Sequence, residues 1–77
     1  MVKIDFKVPD VSNVDISIYN AAGKLVRKFD QGIKPAGIYQ VIWDGKSDNG
    51  IKLASGEYNY IVKAGDIQSI KQIIMLK

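Results

Sequence analysis

Residues 2–8 read VKIDFKV. Apolar and charged residues alternate without a break, with Val2, Ile4, Phe6 and Val8 on one side and Lys3, Asp5 and Lys7 on the other. Successive side chains of an extended chain point to opposite faces, so a period of two describes a strand with one face buried and one in water. The period returns in VDISIY (14–19), where Val14, Ile16 and Ile18 point inward, and in IYQVIW (38–43), where Tyr39, Val41 and Trp43 share a face. It returns again in EYNYIVKA (57–64) through Tyr58, Tyr60 and Val62. A chain of 77 residues that repeats this pattern so often is expected to be all-β, a single small antiparallel sandwich of six to seven short strands.

The segments between these runs carry turn signals. Pro9-Asp10 ends the first strand, and NAAG (20–23) reverses the chain with Gly23 suited to positive φ. KLVRKF (24–29) reads as a short third strand and QGIKPAG (31–37) as a loop broken by Pro35. IKLASG (51–56) has little alternation and reads as a connector. IQSIKQIIML (67–76) is ambiguous, because Ile67, Ile70 and Ile74 would also line one helix face. Its β-branched content and the tight Gly65-Asp66 link before it favour a strand in a hairpin.

Composition removes several classes of function. A chain this short buries roughly 60% of the surface its unfolded form exposes, so its core is thin and leaves little stability to offset a strained catalytic site. There is no cysteine, hence no disulfide and no thiolate chemistry. There is no histidine, hence neither the commonest general base nor the commonest metal ligand. No catalytic residue and no cofactor are expected. The net charge is +3, but the ten lysines are scattered and Arg27 is the only arginine. Nucleic-acid surfaces cluster their basic residues and use arginine for bidentate contacts, so no nucleic-acid partner is expected. No apolar run approaches the ~18 residues of a membrane span, and the alternating start lacks the apolar core of a signal peptide.

The most distinctive stretch is WDGKSDNG (43–50), with two aspartates, an asparagine and two glycines behind the only tryptophan. As a calcium loop counted from Asp44 it places Lys46 third, Asn49 sixth and Ser55 twelfth. A cation, a non-glycine and a hydroxyl stand where a ligand, a glycine and a glutamate are needed. Only a looser oxygen site from Asp44, Asp48 and Asn49 is left as a metal candidate. As a catalytic carboxylate pair, Asp44 and Asp48 would need a cleft and an apolar setting for one of them, which a tip loop does not offer. As a corner, each residue has a use. Asn49-Gly50 suits a tight reversal, the aspartates accept bonds from loose backbone N–H groups, and Trp43 plugs that end of the core. The corner reading is the expectation, with Trp43, Tyr39, Tyr58, Tyr60 and Gly50 as structural residues.

ISIYNAAGKLVRKF, then KPAGIYQVIWDGKSDNGIKLASGEYNYIVKAG, then the closing IKQIIMLK, together resemble the Ig-like domain of the bacterial flagellar hook-capping protein. That family overlaps in pattern with the C-terminal sorting domains of type IX secretion. The resemblance implies an Ig- or fibronectin-III-like sandwich with no enzyme activity, attached as a C-terminal module to an exported bacterial protein at the cell surface or outside the cell. There it would serve as spacer, assembly element or sorting signal. It implies protein partners: domains of the parent protein, or secretion or assembly machinery. Candidate contact residues lie on the last strand, Ile70, Lys71, Ile73, Met75 and Lys77, with edge pairing as the mechanism. The alternatives are flagellar hook-cap assembly proper, and weak polysaccharide binding through the aromatic row of Tyr58 and Tyr60. The second competes with the plainer reading that these rings line the core.

Overall fold

The computed structural model describes residues 2–76. These form six strands: β1 (Val2–Val8), β2 (Ser12–Asn20), β3 (Leu25–Lys34), β4 (Gly37–Trp43), β5 (Gly56–Ala64) and β6 (Ile67–Met75). They make two antiparallel sheets, a short one of β1-β4 and a long one in the order β3-β2-β5-β6. No helix occurs among the described residues, so the last segment is a strand, paired with β5 over its whole length from Ala64↔Ile67 to Gly56↔Met75.

The alternation fixes which face each strand buries. Ile4, Phe6 and Val8 of β1 meet Val14, Ile16 and Ile18 of β2, with Tyr58, Tyr60, Val62 and Ala64 of β5, in one core. Tyr39 and Val41 of β4 pack against it from the rim, and Trp43 lies fully inside. No polar or charged residue is buried among the described residues.

The third strand is longer than the sequence suggests. QGIK, expected as the start of a loop, continues β3 to Lys34, and the link to β4 shrinks to Pro35-Ala36. The cause is a bulge: Val14 pairs Gly32 while Asp15 pairs Asp30, and Gly32 takes φ 68°. An extra residue next to a left-handed glycine bends a strand without ending it, so the glycine that looked like a terminator is a kink. A second shift lies between Ile18 and Tyr19, which pair Arg27 and Leu25. It leaves Val26 and Arg27 in succession half-buried, where strict alternation would bury only one.

Trp43 closes the core with a T-shaped contact to Tyr58, ring centroids 5.4 Å apart at 75°, and its indole N–H donates to the Lys46 carbonyl at 2.9 Å. Removing a buried aromatic of this size costs about 3–5 kcal/mol. A domain this small is stable by about 4–12 kcal/mol. Trp43→Ala is therefore expected to leave the chain largely unfolded or nearly so, read as a lowered urea midpoint. Trp43→Phe, which mainly loses the one hydrogen bond and part of the contact, should remain folded with a smaller loss.

Candidate functional site

The corner between β4 and β5 is held by bonds that run in three directions. Within the loop, the Asp44 carboxylate accepts from the Lys46 amide at 3.0 Å. Gly50 N–H donates to Ser47 O at 2.9 Å, and Leu53 N–H to Gly45 O at 3.0 Å. A short bridge joins Lys46 to Lys52. Toward the core, Trp43 is anchored as described. Toward the long sheet, the Asp48 amide donates to Val26 O at 3.0 Å, and the Asp48 carboxylate accepts from the Lys28 amide at 3.3 Å. Asp48 thus occupies the edge of β3 as a partner strand would, one bond through backbone and one through side chain.

Arg27 completes this seam. Its guanidinium lies 4.8 Å from the Phe29 ring centroid. Its Nε is 3.7 Å from Asp48 Oδ1, and Nη1 donates to Ser47 O at 3.4 Å. Nε is buried without a hydrogen-bond partner. With Asp48 largely in water, the ion pair contributes about 1 kcal/mol at most; the arginine stem matters more as apolar cover over β3.

The metal candidates do not converge. Asp44 is bonded within its own loop and Asp48 to β3 and Arg27, while Asn49 sits exposed at the tip. Among the described residues no three or more His, Cys, Asp or Glu side chains are grouped so as to hold an ion. The two carboxylates thus serve the corner. Only the second was legible as more than a local turn acceptor once β3 was known to run beside it.

The two glycines of the corner differ in what they permit. Both have φ 79°, the left-handed region that costs an L-residue roughly 1–2 kcal/mol. A Cβ on Gly50 would meet nothing within 4 Å, whereas one on Gly45 would stand 3.0 Å from the Met75 sulfur. Gly45 is where the loop closes down on the end of β6.

The tyrosines of β5 are interior. Tyr58 and Tyr60 are 6% and 8% exposed, so neither ring offers a face on which a sugar could stack. Tyr58 donates its hydroxyl to Ala54 O at 2.6 Å, tying the connector to the sheet. Tyr39 donates to Pro35 O at 2.6 Å and stacks on Phe6 at 5.6 Å. Burial, and secondarily the charge of Asp5, raises the Tyr60 pKa above its ordinary 10.0.

The last strand divides in the middle. Ile73 and Met75 are core residues, so two of the expected contact residues are unavailable as side chains. The reason is register: they pair with Tyr58 and Gly56 and share their inward face. Ile70 and Lys71 are exposed, and Lys77 lies outside the described residues. Sequence reasoning missed Ile74, which stands on the same outer face as Ile70, with 64% and 66% exposure. The alternation of β6 could have found it once Ile73 was placed inward.

The model of the FlgD Ig-like domain matches residues 2–67. The chain belongs to the FlgD Ig-like domain family. A solved structure of FlgD from P. aeruginosa superposes with a TM-score of 0.77 at 25% identity, over 94% of this chain and 59% of that one. This domain therefore spans a little over half of that protein's resolved chain. No curated protein matches. Family and structure agree with the sandwich expected from the alternation.

Two outcomes follow for this site. Gly50→Ala is expected to cost about 1–2 kcal/mol and Gly45→Ala more than that, measured by chemical denaturation of the two variants side by side. For Tyr60, the folded state holds its proton more tightly than the unfolded chain. Its contribution to stability is full below pH 10.0 and is lost as pH rises through the folded pKa. Tyr60→Phe should remove that part of the alkaline loss, seen as a shallower fall of the melting temperature above this pH.

Proposed function

We propose that this FlgD Ig-like domain is a non-catalytic assembly module of a flagellar hook-cap type protein that works outside the cytoplasm. The single observation that carries the reading is the outer face of β6. Ile70 and Ile74 stand on it in water, next to Ile61 of β5, which pairs directly with Ile70. Leu76 follows at 83% exposure. Neighbouring exposed apolar residues on one face mark a contact surface for another protein.

The family match supports assembly over the spacer and sorting readings, because it is to the hook-cap type of domain. A binding rather than a chemical role is supported by the lack of histidine and cysteine and by carboxylates that are engaged in the corner. Among the described residues no helix is long and apolar enough to cross a membrane. The sugar reading has lost its aromatic platform to the core.

Truncating the chain after residue 70 is a poor test, since it removes Ile73 and Met75 from the core along with the surface. Point changes separate the two. The native chain should associate with flagellar axial proteins in sedimentation or pull-down. The double variant Ile70→Asp with Ile74→Asp should keep the native fold and bind at least about tenfold more weakly, as expected for losing central apolar contacts. A native chain that stays monomeric and ignores axial proteins would contradict the proposal.

A further inference from the structure

We infer that the free edge of β1 is a lane for one added strand from a protein partner, an extended segment with apolar residues at alternate positions and a carboxylate facing Lys71. The lane lies between the sheets, on the side of the molecule away from the corner. The short sheet has β4 on one side of β1 and no strand on the other. β1, β4 and β6 line an open cleft of about 300 Å³, with Asp5, Phe6, Lys7 and Ile38 on one side, Ser69 and Lys71 on the other and Val62 in the floor. The Asp5 carboxylate already accepts from Gln40 Nε2 at 2.8 Å, which leaves the two lysines as the unengaged charges of the lining.

The burial of β6 shows what is missing. Alternation puts Ile67, Ser69, Lys71, Ile73 and Met75 on its inner face. Ile73 and Met75 are covered, with Gly45 of the corner loop closing on Met75, but Ile67, Ser69 and Lys71 are exposed. They have nothing above them because the short sheet ends at β1. One more strand beside β1, at the usual spacing of about 4.8 Å, would lie over this uncovered half. It would satisfy the unpaired backbone groups of β1 and cover Ile67, which is 54% exposed. This is strand addition to a sheet edge, in which backbone bonds give affinity and alternate side chains give selectivity.

Charge identifies the occupant. Lys71 is an inward-pointing charge on an edge strand, a device that discourages indiscriminate pairing. A second copy is disfavoured in the lane: the antiparallel register that pairs two β1 strands in full places Asp5, the middle residue of Val2–Val8, opposite its own copy, and like charges directly opposite are destabilising. Lys7 adds positive charge on the other side of the cleft. An acidic, alternating strand meets both demands. This lane is distinct from the outer face of Ile70 and Ile74, and the inference does not depend on the axial assembly proposed above.

The test uses the native chain and synthetic peptides of about seven residues, the length of β1. One carries valine, valine, glutamate and valine at alternate positions with threonine between them, so that the glutamate shares the inward row with the valines; its control replaces the glutamate by lysine. Binding is followed by NMR, with amide exchange read residue by residue. The acidic peptide should slow exchange at amides within Val2–Val8. Lys71→Glu should weaken it about tenfold, since attraction becomes repulsion, and should improve binding of the basic control. Ile33→Asp, exposed on β3 at the far edge of the long sheet, should change neither. Three results would overturn the inference: no peptide protects β1 up to millimolar concentration, protection falls on β6 with β1 unchanged, or the free chain self-associates through β1.

Discussion

Two strands cannot cover four. The short β1-β4 sheet lies on a sheet with twice as many strands, and the rest of the molecule is arranged around that mismatch. At one end the uncovered area is closed by a loop. Trp43 is driven into the gap by its apolar area and fixed there by its bond to Lys46 O. The loop that follows folds back over Met75 and along β3. At the other end nothing closes the gap, and the inner face of β6 from Ile67 to Lys71 remains in water. The same shortage of cover yields a sealed corner and an open cleft.

The corner also settles the fate of one sheet edge. Edge strands expose backbone groups that recruit other strands. On β3 two of these groups, Val26 O and Lys28 N–H, are occupied by Asp48 through its amide and its carboxylate, a local mimic of a neighbouring strand. β1 and β6 have no such mimic among the described residues. A domain that protects one edge by its own chain and leaves others free has its contacts with other proteins directed to the free ones. The membership in the FlgD Ig-like family is consistent with a part whose work is contact.

Much of this was legible in the sequence because a period of two is a direct statement about burial. Val2 to Val8 and Val14 to Ile18 give their faces without further help, and Trp43 at the end of an inward row had to be interior. What was not legible required knowing a neighbour. Gly32 reads as a breaker until β2 is beside it to make a bulge. Asp48 reads as a turn acceptor until β3 runs past it. Ile73 and Met75 alternate as neatly as Ile70 and Ile74, and only the pairing of β6 with β5 decides which pair is inside. Lys71 is one scattered lysine among ten until the end of the short sheet leaves it facing an empty lane.

The central claim is that cover is unequal: the corner loop acts as a strand for β3, while β1 and β6 keep free edges. Native-state amide hydrogen exchange on the unliganded chain reads this residue by residue. The account predicts that the Asp48 and Leu53 amides are protected to the degree of the central strands β2 and β5, while alternate amides along β1 and β6 exchange orders of magnitude faster. An Asp48 amide exchanging as fast as an open loop, or β1 and β6 protected throughout in the monomer, would contradict it.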